Sequence, residues 1–285
     1  MLKRFFVSLI IGLILIGGAA AYLLKQYRRE QAASRQNQKA PDQQITIIEG
    51  WSNTDIANML QQKNILPAAA FLDAERSFDA SGYPVLADKP KTADLQGYLF
   101  PDTYRIPKTS SSTVLAEAII KKSLDNFQQK FTQDMQQQAM ARSMTVYQIL
   151  TLASIIEKET GRQTTTDAQK QALDTERRTV AGIFYNRLRA GMPLESDATV
   201  NYATGKKLTQ PSLADTQTNS PYNTYKNPGL PPGPICNPSL SSIQAALNPI
   251  NSDYMYFLHR PDTGQAVYSA TYQEHLANKQ KYLGN

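Results

Sequence analysis

Apolar residues recur at helical spacing along most of the chain, and one run has no charged break at all. Phe5 to Leu24 (FFVSLIIGLILIGGAAAYLL) is uncharged over 20 residues. A helix of that length, at ~1.5 Å per residue, spans a hydrocarbon core of roughly 30 Å. Lys3 and Arg4 precede it, and Lys25, Arg28 and Arg29 follow. The apolar core of a secretory signal is shorter, about 7–15 residues. An uncleaved anchor is therefore the better reading, although Gly17 to Ala21 supplies the small residues a cleavage site needs. Counted alone, the more basic C-terminal flank favours an outward N-terminus. Residues 25–44 are polar, Gln-rich and aperiodic, the pattern of a linker.

The β-branched run Ile45 to Ile48 predicts a strand. Ser52 or Asn53 then caps a helix burying Ile56, Met59 and Leu60. This strand–helix unit, residues 45–66, is too small to bury a core alone. A second apolar stretch surrounds Phe71 and Leu72, and Pro84 and Pro90 mark breaks in the chain beyond it. Further helices are predicted over Thr113–Phe131, from Ser143 through Ile156, and over Glu176–Arg189, the last ended by Gly191. Five prolines between Pro228 and Pro238 forbid regular structure in a region, 203–240, that reads mostly as loop. Ser241 starts a short helix. Tyr254–Leu258 and Val267–Ser269 form a hairpin, and Tyr272–Leu283 is a terminal helix. The expected class is α+β: a mainly helical domain with a small antiparallel sheet.

Composition narrows the function classes. The chain has 285 residues, 41% apolar and 19% charged, which suits one large or two modest domains and excludes disorder or a polytopic membrane protein. Residues 1–44 hold seven Lys/Arg against Glu30 and Asp42, so +5 of the net +6 lies there. The remainder is nearly neutral and has no surplus to displace counterions from nucleic acid. The basic flanks suit anionic lipid instead. A single cysteine, Cys236, and two histidines, His259 and His275, leave a disulfide, a zinc site or a His-based triad without ligands. No metal or organic cofactor is expected.

The candidate chemistry begins where an apolar helix closes on two carboxylates, in ASIIEKET (153–160). At ~100° per residue, Glu159 falls on the stripe of Gln148, Leu152 and Ile155, whereas Glu157 lies about 160° away with Val146, Leu150 and Ala153. The two cannot flank one bond from an unbroken helix, so this pair alone does not make a two-carboxylate glycosidase. A single carboxyl at the end of an apolar stripe has a raised pKa and suits general acid catalysis. The alternative is a solvated pair, or one bonded to Lys158 or Arg162. LESDATV (194–200) supplies short polar groups, or simply loop caps. SPYNTY (220–225) sets aromatic faces beside an amide and a hydroxyl, which suits a sugar, or forms a rigid proline-bounded loop.

In this order, GYLFPDTY (97–104), LASIIEKET (152–160), VAGIFYNRLRAGMPLESDATVNYA (180–203), SPYNTY (220–225), GLPPGPICNP (229–238), SIQAALNP (242–249) and TYQEH (271–275) resemble the YceG-like family of endolytic murein transglycosylases. The resemblance runs from about residue 93 to the C-terminus. It implies a single-pass protein of the bacterial cytoplasmic membrane, with an extracytoplasmic domain that cleaves nascent glycan strands between MurNAc and GlcNAc and leaves 1,6-anhydro ends. It implies an anchor over 1–24, a linker over 25–44, a partial LysM-like module over 45–92 and a catalytic domain over 93–285. It further implies peptidoglycan strands as substrate and peptidoglycan synthases as partners. Glu159, followed by Thr160, corresponds to the catalytic acid, with Glu157 in reserve. Asp197, Thr199, Tyr222, Asn223 and Tyr225 are the residues expected to orient the sugar. Ala198, Ala266 and Leu276 depart from the residues usual in relatives. A hydrolytic muramidase pairing Glu159 with Asp197, and a non-catalytic peptidoglycan-binding scaffold, are the rival readings.

Overall fold

A computed structural model describes residues 25–26, 42–109, 111–208 and 210–284. The anchor expected over Phe5–Leu24 lies outside the described residues, as does nearly all of the linker. No single helix among the described residues is long and apolar enough to cross a membrane. From Gln44 onward the chain forms one compact unit.

Strand β1 (Asp42–Thr46) pairs with β2 (Thr103–Pro107). The Ile47 N–H continues the pairing by donating to the Asp102 carbonyl at 2.9 Å. Ile45 and Ile47 are buried and Ile48 is exposed, so the β-branched run is read one face at a time. Helix α1 (Asn53–Gln62) opens on a capping box between Ser52 and Asp55, and α2 (Ala68–Ser77) packs on it and on α3 (Ser112–Lys130). Asn237, in the proline-rich loop, docks this region. Its amide donates to Trp51 O and Asn53 Oδ1, both at 3.0 Å, and its oxygen accepts from Gly97 N and Leu99 N at 2.9 and 3.0 Å.

Helices α4 (Gln133–Ala141) and α5 (Val146–Thr160) follow. Helix α5 is the axis of the fold. Leu150, Leu152, Ala153, Ile155 and Ile156 point to different sides of the helix, and all are fully buried. A helix apolar all round must be surrounded. Around it pack α4, α6 (Asp167–Arg189), α7 (Asp197–Thr204) and α8 (Leu240–Leu247). In α6, Gly182 has no substitute. A Cβ there would lie 2.2 Å from the Ile250 carbonyl, so only glycine lets the 248–250 segment cross. Strands β3 (Tyr256–His259) and β4 (Ala266–Ser269) form an antiparallel hairpin with Phe257 opposite Tyr268, and α9 (Tyr272–Leu283) packs beside it. The class is α+β with small sheets.

Several local expectations shift. Helix α5 is capped by Thr145, not Ser143, which instead adopts φ +56 in the turn before it. The Thr145 hydroxyl accepts from Gln148 N at 3.1 Å, and Gln148 Oε1 accepts the Thr145 N–H at 2.9 Å. Helix α6 starts at Asp167 rather than Glu176, because Thr166 and Gln169 form a capping box ahead of a polar first turn. Ser239, not Ser241, caps α8. Helices α4 and α7 occupy segments for which periodicity predicted none.

Candidate active site

Glu157 and Glu159 leave the end of α5 in opposite senses, as the helix geometry requires. Glu157 is 4% exposed. Its Oε2 accepts the Ser239 backbone N–H at 3.0 Å and the Ser242 hydroxyl at 2.7 Å, and the Ser239 hydroxyl donates to the same oxygen. Its Oε1 lies 3.7 Å from the Arg177 guanidinium. The carboxylate thus sits on the N-terminus of α8, where helix dipole and free N–H groups favour negative charge. Oε2 is held by α8, and Oε1 faces Arg177.

Glu159 reaches the N-terminus of another helix, α7, and remains partly exposed. Ser196 occupies the cap position of α7 but makes no capping bond to its own helix. Its hydroxyl donates to Glu159 Oε1 instead. Burial pushes the Glu159 carboxyl above its usual range. The Ser196 hydroxyl pulls it back, the neighbouring Asp197 carboxyl pushes it up, and His259 and the Ala198 N–H pull it down. The group is desolvated like a general acid yet supplied with donors for its conjugate base.

Arg187 and Thr224 hold the 193–197 turn that presents Ser196. Arg187 Nη1 donates to the carbonyls of Pro193 and Leu194 at 2.8 and 3.1 Å and to Glu195 Oε2 at 2.9 Å. Its Nε donates to Met255 O at 2.8 Å, and its guanidinium lies 5.0 Å above the Tyr256 ring. Glu195 takes φ +53, strained for a residue with a side chain. Thr224 fixes the rest: its carbonyl accepts from Glu195 N and its hydroxyl from Ser196 N, both at 3.1 Å.

The remaining sequence candidates divide. Asp197 and Tyr225 come together, with the Tyr225 hydroxyl donating to Asp197 Oδ1 at 2.6 Å. Burial raises the Asp197 carboxyl, against the Tyr225 bond and the Lys279 ammonium of α9. Burial and the adjacent Asp197 raise the Tyr225 hydroxyl. Tyr222 stands half-buried on the same loop, its ring 4.8 Å from that of Tyr202. Thr199 and Asn223 do not face a groove; both are 0% exposed. Thr199 Oγ1 donates to Ser196 O at 2.7 Å and meets Thr224 Oγ1 at 2.8 Å. Asn223 donates to Thr216 O and Thr218 O at 2.9 and 2.8 Å and accepts from Tyr225 N at 3.0 Å. They shape the loops that carry Asp197, Tyr222 and Tyr225. Sequence reasoning missed Ser196, Arg187 and a charged array beside the acid, in which Glu176 binds Arg162 at 2.5 and 2.8 Å and His259 Nε2 at 3.1 Å. Burial alone would raise the Glu176 carboxyl, but His259 and Arg162 hold it below the usual range.

A half-buried acid at the end of a core helix, flanked by a second carboxyl, a tyrosine and a polar turn, defines a class of acid–base site on a helical scaffold. The model of the YceG-like family matches residues 18–281, and the chain belongs to that family. It is 36% identical over 257 residues to a Bacillus subtilis (strain 168) protein named endolytic murein transglycosylase, covering 85% of this chain and 66% of that one. A protein of the same name from Streptococcus pneumoniae serotype 2 (strain D39 / NCTC 7466) is 33% identical over 262 residues, covering 85% and 45%. The chain thus spans less than two thirds of the length of these relatives. A 2.6 Å crystal structure of a YceG-like protein from Listeria monocytogenes superposes with a TM-score of 0.69 at 35% identity, over 84% of this chain and 76% of that one.

Proposed function

We propose that this protein is a membrane-anchored lytic transglycosylase that cuts peptidoglycan glycan strands internally, between MurNAc and GlcNAc. Glu159 protonates the glycosidic oxygen as the C1–O bond breaks. Its carboxylate then takes the proton of the muramoyl C6 hydroxyl as that oxygen closes on C1, leaving a 1,6-anhydro end. One carboxyl serves as acid and then as base, and no water is consumed. The observation that carries this reading is the double environment of Glu159. Burial favours its acid, while the Ser196 hydroxyl and Ala198 N–H favour its base. Asp197 and Tyr225 stand beside the carboxyl, and Tyr222 lies further along the same loop toward Tyr202; together they orient the sugar hydroxyl and N-acetyl groups. Phe5–Leu24 is the anchor, residues 45–92 the LysM-like part, and residues 93–285 the catalytic domain on the outer side of the cytoplasmic membrane. There it terminates nascent strands beside the synthases.

Relatives named endolytic murein transglycosylase at 33–36% identity support this reading. The test is digestion of purified glycan strands followed by mass spectrometry of the ends. Anhydro-muramoyl ends, lost in Glu159→Gln, are expected. Reducing ends would instead assign hydrolysis, with Asp197 directing a water. Uncleaved strands would leave a binding scaffold.

A further inference from the structure

At the other end of α5 an open groove of about 630 Å³ is cut between the α4–α5 turn, the C-terminal turn of α6 and the proline-rich loop. Tyr147 and Tyr185 contribute aromatic faces, Leu230 and Pro231 an apolar wall, and Arg142 and Arg189 the charges; among the described residues no acidic side chain lines it. Arg142 lies 5.2 Å above the Tyr185 ring and donates to the Leu247 carbonyl, and Arg189 donates to the Asn186 side-chain oxygen. These acceptors are neutral, so both guanidinium charges remain available to an anionic ligand.

The 220–225 loop joins the groove to the acid, since the stripe of α5 between them is buried at Leu152 and Ile155. The Tyr147 hydroxyl in the groove and the Tyr222 hydroxyl both abut Gly233, and Tyr225 of the same loop bonds Asp197 beside Glu159. Along the axis, Tyr147 and Glu159 are separated by about 18 Å at ~1.5 Å per residue. A peptide of four or five residues extends to roughly 13–17 Å. The peptide branches of peptidoglycan start at the muramoyl lactyl group and carry free carboxylates.

We infer that this groove binds the anionic peptide branch of the glycan whose backbone lies at Glu159. The inference rests on the proposed transglycosylase reading and assigns that enzyme a specificity subsite. Arg142 and Arg189 take the branch carboxylates, while the tyrosine and proline faces take its aliphatic stem.

The test compares two substrates with the full-length protein: glycan strands with intact branches and the same strands stripped by an amidase. Wild type should show a KM about tenfold lower on branched strands, the effect of one or two charge-assisted contacts. In Arg142→Gln/Arg189→Gln that ratio should fall toward one. Arg189→Gln alone, which leaves the Arg142–Leu247 bond in place, should lower it partway. A wild type with no preference, or variants that shift both KM values equally, overturns the assignment. If neither substrate is cut, the transglycosylase reading fails and binding of a dye-labelled muramyl tetrapeptide decides the groove. Anisotropy-detected binding that the double variant lacks supports the assignment, and absence of binding overturns it. Equal competition by an unrelated acidic peptide also overturns it, in favour of an acidic protein segment.

Discussion

The Ser239 backbone N–H donates to Glu157 Oε2 at 3.0 Å, which ties Glu157 to the N-terminus of α8. Two residues on, Glu159 faces the Ser196 turn. The two substitutions should therefore separate stability from chemistry. Glu157→Gln puts an amide N–H₂ among Ser239, Ser242 and Arg177 and removes a charge-assisted set, costing about 2–4 kcal/mol. Thermal unfolding should show a Tm lower by roughly 4–16 °C. Glu159→Gln should keep the wild-type Tm and lose strand cleavage by at least roughly 10²–10⁴-fold, the usual worth of a general acid. A thermally normal, inactive Glu157→Gln would return the acid role to that residue.

The pH profile reports the neighbours of Glu159. The first step needs the protonated acid, so activity falls as pH rises through the Glu159 pKa. Ser196→Ala removes a donor that favours the charged form, leaving burial less opposed. The pKa rises and the basic limb of kcat/KM moves to higher pH. Asp197→Asn removes a like charge and moves that limb to lower pH. Shifts of the same sign in both variants would contradict this electrostatic picture.

A good part of this site was legible in the order of residues. Helical arithmetic alone sent Glu157 and Glu159 to different surroundings, because an unbroken helix fixes their angle. The terminal helix Tyr272–Leu283 and the hairpin before it also follow from local signals. What failed to show locally depends on tertiary partners. Helix α7 opens without a side-chain cap bond of its own, since Glu159 comes to its N-terminus from α5. The first turns of α6 are polar, so periodicity starts late. Thr199 and Asn223 are the residue types that contact sugars, but the same donors and acceptors serve loop carbonyls, and only burial tells the two uses apart.

Glu75 gives the fold a pH dependence separable from catalysis. It is 2% exposed on α2, and its Oε1 accepts from Asn53 Nδ2 at 2.9 Å and from Leu95 N. Burial and the nearby Asp94 raise its carboxyl to about 7, against the Leu95 bond, Arg76 and Lys89. The folded protein thus binds this proton more tightly than the unfolded chain. The stabilisation is complete below about pH 4.5 and is lost as pH rises through about 7. Glu75→Gln keeps an oxygen for both donors and cannot ionise. Its Tm relative to wild type should rise between pH 5 and pH 8, by the equivalent of about 1–3 kcal/mol. A difference that stays flat over that range would show that the carboxyl is not titrating in the folded state.

Arg187 clamps the turn before Ser196, the residue whose hydroxyl bonds Glu159. It joins α6 to three consecutive residues of the turn before Ser196 and to Met255 beside the hairpin. A lysine retains the charge but lacks the planar fork that serves several carbonyls at once. In Arg187→Lys the strained Glu195 backbone is free to relax from φ +53, and the Ser196 hydroxyl moves with it. The expected result is a kcat lower by about 10–100-fold, the scale of a displacement near 1 Å at a catalytic group. KM should change less than kcat, because Tyr225 and Tyr222 are held by other elements. Arg187→Lys should also blunt the effect of adding Ser196→Ala, since a displaced hydroxyl has little left to lose. The double-mutant cycle measures this directly. Additive losses in kcat would mean that Arg187 stabilises the fold without positioning Ser196.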